Sequence, residues 1–88
     1  MITGFSKHSA AWFIGIDRGD RIIPAGQLKY GLNKPEGKAV FSILKKAVIH
    51  ETEAAAYVEP FIRIGVRFRN WTRAGKMRLP VLENVILG

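Results

Sequence analysis

Apolar residues recur at every second position from Ile62 to Phe68. Ile62, Ile64, Val66 and Phe68 fall on one face of an extended strand; Arg63, Arg67, Arg69 and Trp71 fall on the other, because successive strand side chains point to opposite sides. The first face suits a core, and the second carries guanidiniums and an indole. Thr72-Arg73-Ala74-Gly75 then reads as a turn, with Gly75 as its left-handed residue. A second strand starts at Lys76-Met77-Arg78. Pro80 has no N–H to give a ladder, so this strand is expected at an edge or with a bulge there. Leu82, Val85, Ile86 and Leu87 leave a modest apolar tail.

Upstream, Met1 to Ser6 is a short apolar opening that reads as a strand, broken by Lys7-His8-Ser9. Ala11-Trp12-Phe13-Ile14-Gly15-Ile16 is a compact apolar run, a strand buried on at least one face. Asp17-Arg18-Gly19-Asp20 is a turn by composition, and Arg21 to Tyr30 is the return strand, with Pro24 and Gly26 marking a bulge or an edge. After Gly31-Leu32, Asn33 is a good N-cap, followed by Pro35 in the first turn and Glu36 three residues on. Val40, Phe41, Leu44, Ala47 and Val48 recur at helical spacing, which predicts one amphipathic helix from Lys34 to about Ile49. Lys45 and Lys46 sit late in it, where the helix dipole favours cations. Glu51 to Ala56 reads as a loop, and Tyr57-Val58-Glu59-Pro60 reopens an extended segment that runs into the basic hairpin.

Three strands, a helix and two strands is the element order of a five-stranded Greek-key barrel with a helix between strands three and four, the OB-fold. The predicted class is therefore mainly β. An SH3-like barrel is the main rival, but it lacks so long a helix at that place.

Composition narrows the partners. At 88 residues the chain is one domain spanning 1–88, burying roughly 60–65% of its unfolded surface. A hydrophobic fraction of 48% argues against disorder. Fourteen Lys and Arg against seven Asp and Glu give a formal charge of +7 and a pI near 10.3, which favours a polyanion, nucleic acid ahead of an anionic membrane. There is no cysteine, hence no disulfide framework and no thiolate metal site. Neither a signal peptide nor an apolar run near the roughly 20 residues that span a bilayer is visible. A reducing, cytoplasmic compartment is expected.

The charge is concentrated. Between Glu59 and Glu83 there is no acidic residue and there are six basic ones: Arg63, Arg67, Arg69, Arg73, Lys76 and Arg78. A row of arginines roughly 7 Å apart along a strand can contact successive phosphates; a solvated face that charge protects from edge pairing uses the same residues. Trp71 could stack on a base or ribose, although a tryptophan at a strand end is more often a core plug. Trp12 reads as core. His8 and His50 have no partner at metal-ligand spacing, so no metal site is expected. Ser6 with His8 is too slight for a nucleophile and base. Asp17, Asp20, Glu51 and Glu53 read as turn and loop carboxylates, and Gly15, Gly19 and Gly26 are not spaced as a phosphate-cradling loop.

Arg67-Phe68-Arg69-Asn70-Trp71-Thr72, followed by Gly75-Lys76-Met77-Arg78-Leu79-Pro80, resembles the C-terminal OB-fold domain of ATP-dependent DNA ligases, in particular the bacterial ligases of non-homologous end joining. Arg78-Leu79-Pro80-Val81-Leu82 stands where that family has its last nucleotidyltransferase motif. Leu82 departs from the family's usual aromatic, and Glu83-Asn84-Val85 supply no basic residue after it. Ala11 to Gly15, the glycines Gly26 and Gly31, and Tyr57-Val58-Glu59-Pro60 resemble further family segments, so the likeness spans nearly the whole chain.

The resemblance implies a DNA-binding module with Arg63, Arg67, Arg69, Trp71, Arg73 and Lys76 on nicked double-stranded DNA. Arg78 would contact ATP phosphates while orienting the pyrophosphate leaving group. The ligases form their covalent intermediate on the lysine of a Lys-x-Asp-Gly motif, which this sequence lacks. The implied catalytic residues thus lie in a separate adenylation domain of a parent ligase, which would use ATP and Mg2+. This domain alone is expected to be inactive, to bind no cofactor or metal and no membrane, to be a monomer, and to work at the nucleoid in double-strand break repair. The alternative is a free-standing single-stranded DNA- or RNA-binding OB protein without catalysis. A third reading is a protein-interaction barrel whose basic face docks an acidic surface.

Overall fold

A computed structural model of the chain describes residues 1–9, 11–29, 32 and 35–86. The elements run β1 (Ile2–Ser6), β2 (Trp12–Asp17), β3 (Ile22–Leu28), α1 (Pro35–Lys46), β4 (Val48–Glu51), β5 (Ala55–Val58), β6 (Arg63–Arg67) and β7 (Val81–Ile86). The first five strands in chain order form one antiparallel sheet, arranged β3-β2-β1-β5-β4, and β6 pairs with β7 in a separate antiparallel ribbon. The result is mainly β and OB-like, with its helix after the third strand as expected.

Two backbone bonds stitch the ribbon to the sheet. Ile2 N–H donates to the Ile62 carbonyl at 3.1 Å, and Met77 N–H donates to the Ala25 carbonyl at 2.6 Å. Ala25 can offer that carbonyl because β3 bulges there: Ile14 pairs with Gly26 and Gly15 with Pro24, leaving Ala25 unpaired in the ladder. Gly26 follows at φ 133°, a conformation side chains resist. The Pro24 and Gly26 interruption expected from sequence is therefore the feature that receives the ribbon.

The five predicted strands become seven for local reasons. Pro60 and its neighbours break the fourth into β5 and β6, which lie in succession along β1: Ser6 opposite Ala55, then Ile2 bonded to Ile62. The other addition is β4. Sequence periodicity carried the helix to about Ile49 and left Glu51 to Ala56 as a loop, but α1 stops at Lys46 and the chain enters β4 at Val48, opposite Val58. β-branched Val48 and Ile49 prefer the sheet, and the Ala47 carbonyl left at the helix end accepts from Glu59 N–H at 3.2 Å. The Asn33 cap, the Lys34 start and the Tyr30, Gly31 and Leu87 assignments lie outside the described residues.

Alternation decides what is buried. Ile2, Phe5, Trp12, Ile14, Leu28, Ala56 and Val58 pack inward from the sheet, and Val40 and Leu44 close the core from the helix. Phe41 packs its ring against that of Phe5, edge to face at 5.1 Å. From the ribbon side Ile62 and Leu82 are buried, with Ile64, Val66, Met77 and Val85 partly so. Each fully buried aliphatic side chain stabilises the fold by about 1.5–3 kcal/mol.

Leu82, 2% exposed, anchors β7, whereas Ile86, 51% exposed, does not. Leu82→Ala is expected to cost about 2–5 kcal/mol in urea unfolding, and Ile86→Ala within about 0.5 kcal/mol. Equal costs would show that the ribbon is not anchored through Leu82.

Candidate nucleic-acid interface

The ribbon lifts its cations into solvent because β6 alternates as the sequence requires. Arg63 and Arg67 are exposed while Ile64 and Val66 turn toward the core. Beyond the ladder the two chains remain joined to the tip. Arg69 N–H donates to the Arg78 carbonyl at 3.0 Å, Arg78 N–H to Asn70 at 2.9 Å, and Thr72 N–H to Lys76 at 2.8 Å. Trp71 and Met77 form a bridge between these bonds. The turn is Thr72 to Gly75, with Gly75 at φ 77° and the Thr72 hydroxyl accepting from Lys76 N–H at 3.1 Å.

This pairing brings Arg69, Trp71 and Arg78 together, with Arg73 in the turn and Lys76 across from Thr72. All but half-buried Lys76 are exposed. Lys76 leans toward the sheet, its Nζ 3.4 Å from the Pro24 carbonyl. Arg63 stands apart, six residues and roughly 20 Å along the strand from Arg69. It lines a shallow cleft of about 430 Å³ with Met1, Asp17, Gly19, Ile64 and Ile86. Burial, and then the Arg63 charge, hold the Met1 amine in that cleft below its ordinary pKa, with Asp17 opposing.

Few carboxylates neutralise the cations. Arg67 has Glu83 at 4.0 Å, an exposed pair worth at most about 1 kcal/mol. Among the described residues Arg63, Arg69, Arg73, Lys76 and Arg78 have no carboxylate within ion-pair distance. Among the described residues no three His, Asp or Glu side chains gather to hold a metal ion. No helix among them is long and apolar enough to cross a membrane.

Two features of the tip differ from or add to the sequence reading. Trp71 is not a core plug: it is 48% exposed and leans edge to face on Phe68, with centroids 5.0 Å apart. Phe68 is itself only partly buried, so the indole has only a partial shelter. Trp12 is buried as expected. Leu79, which no sequence reading singled out, sits at φ 52° between Arg78 and Pro80. A branched residue in this left-handed conformation is strained by about 1–2 kcal/mol, and such strain gathers at functional positions. Residue order carries no signal for it, because the proline that follows steers the residue before it to extended backbone.

No protein-family model matches the sequence, and no curated protein does. Among solved structures, the ligase domain from M. tuberculosis LigD is similar, with a TM-score of 0.78 and 21% identity over 97% of this chain and 32% of that one. The chain therefore spans about a third of that structure's length. At this identity the likeness establishes the fold.

The placement of the two tryptophans is directly measurable. Trp71→Phe is expected to remove the red-shifted, iodide-quenchable part of the fluorescence and leave the shielded emission of Trp12. An unchanged accessible fraction would put Trp71 inside.

Proposed function

We propose that the chain is the DNA-binding OB module of an ATP-dependent DNA ligase, gripping nicked duplex DNA and completing the adenylation site of a catalytic domain outside these 88 residues. The observation that carries this is the ribbon itself: six cations on one β-hairpin, one of them with a carboxylate within ion-pair distance among the described residues. The Arg-Asn-Trp-Thr and Arg-Leu-Pro segments support the ligase assignment, and the fold likeness to the LigD ligase domain is consistent with it.

The chemistry divides along the hairpin. Arg67, Arg69, Arg73 and Lys76 would hold backbone phosphates, contacts that fix position without reading sequence; Arg63 would extend the track toward the far end of β6. Trp71, about half exposed, would pack against a sugar or an exposed base edge. Arg78 would meet ATP phosphates in the closed state, since a planar guanidinium pairs bidentately with phosphate and stays charged. Leu79 supports that role by turning the chain directly after Arg78. The adenylated lysine, and the carboxylates that would hold Mg2+, belong to the partner domain, so this chain alone would not ligate. Work at the nucleoid, in end joining, follows from the same reading.

Titration with nicked duplex at several salt concentrations is expected to give a log–log slope of roughly −4, for about five phosphates neutralised. Absence of binding at low salt would instead favour a protein-docking barrel. In the assembled ligase, Arg78→Ala is expected to impair self-adenylation more than sealing of pre-adenylated nicks. Equal loss in both steps would remove its proposed role.

A further inference from the structure

Among the described residues Leu79 alone, glycines aside, has a positive φ, at 52°, and it is 51% exposed. A leucine is held in the left-handed region against its own preference, and such a conformation persists only where the surroundings over-determine it. They do so here. On one side Arg78 is fixed in the hairpin, its N–H donating to the Asn70 carbonyl at 2.9 Å and its carbonyl accepting from Arg69 N–H at 3.0 Å. On the other side Pro80 is buried and Val81 pairs with Arg67, so Leu79 must join two fixed points. Asparagine would join them with less strain, since a short polar side chain tolerates this region, and it would leave no alkyl group in water. Leu79 belongs neither to the buried core nor to the side chains packed against it. Neither the backbone nor the packing of this fold calls for a leucine at that point.

The neighbouring residue defines its use. Leu79 follows Arg78 directly, about 3.8 Å away between Cα atoms, so whatever meets the guanidinium passes close to the leucine. A branched alkyl group has no donor for a phosphate and no π-face for a base. Its complement is a dry apolar pocket, which a protein surface supplies. We infer that Leu79 is the anchor by which this module seats on the catalytic domain: its side chain enters an apolar pocket bordering the nucleotide site, and the left-handed turn presents it there beside Arg78. This rests on the ligase reading above and deepens it by naming the contact that places the guanidinium. Leu79 is a positioning residue. It touches neither nucleotide nor DNA, and it acts on self-adenylation through Arg78. Burial of one leucine side chain is enough to bias seating roughly tenfold to a hundredfold.

The test replaces Leu79 by asparagine, which accepts the left-handed backbone and removes the alkyl group, and by methionine, which keeps an apolar side chain of similar volume. In the 88-residue chain Leu79→Asn is expected to unfold at a urea concentration at least as high as the parent, and to bind nicked duplex with unchanged affinity. A lower midpoint would show that the leucine serves the fold, and weaker duplex binding would place it against DNA; either overturns the proposal. In the assembled ligase Leu79→Asn is expected to slow self-adenylation about tenfold or more and to affect sealing of pre-adenylated nicks less, while Leu79→Met keeps most of the rate. Added to Arg78→Ala, Leu79→Asn is expected to cost little further, because it acts through a guanidinium already removed. Losses that multiply in the double variant overturn the positioning role. Self-adenylation that Arg78→Ala impairs and Leu79→Asn leaves intact overturns this proposal alone. Should Arg78→Ala have no effect either, the ligase reading fails and this proposal falls with it.

Discussion

A single backbone hydrogen bond, from Met77 N–H to the Ala25 carbonyl at 2.6 Å, decides whether the cations have a fixed address. A two-stranded ribbon is marginally stable alone in water, and this one carries six positive charges that repel one another. It holds its shape because β3 bulges to leave one carbonyl free, and because Ile62 and Leu82 sink into the common core. At the other end Ile2 N–H bonds Ile62. With both ends tied, the guanidiniums of Arg67, Arg69 and Arg78 project from a surface whose backbone cannot swing freely. Preorganisation of this kind lowers the ordering cost of binding.

Electrostatics reinforce the arrangement. The turn between β2 and β3 holds Asp17 and Asp20, and the helix and β4 carry Glu36 and Glu51, so the carboxylates sit mostly away from the hairpin tip. Glu83 is the exception, and its 4.0 Å approach to Arg67 in full solvent leaves that guanidinium available. The strained Leu79 lies directly after Arg78, where the chain leaves the paired part of the hairpin. Charge, backbone geometry and exposure therefore converge on one end of the molecule.

Much of this was legible from residue order. Alternation from Ile62 to Phe68 gave the correct faces of β6, Gly75 the turn, and Pro24 with Gly26 the bulge, because each is a local demand of the backbone. The helix start near Pro35 was local too. Its end was not: Val48 satisfies a helical period as well as a strand, and pairing with Val58 decided the matter. The break between β5 and β6 depends on how β1 is shared, and Trp71 lies beyond the β6–β7 ladder, beside Phe68 and outside the core. The separation of Arg63 from the tip follows from strand rise alone, but the row that joins Phe13, Tyr57 and His50 exists only through registers among strands distant in sequence. No periodicity encodes them.

The central claim is that the hairpin tip is the surface that meets duplex phosphates. It is tested most directly by following the arginine Nε–Hε signals in nuclear magnetic resonance spectra as nicked duplex is added. Arg67, Arg69 and Arg73 are expected to shift and to exchange more slowly with water, while Arg18 and Arg21, at the β2–β3 turn, stay unchanged. Shifts at Arg18 and Arg21 with the three hairpin signals unmoved would contradict it.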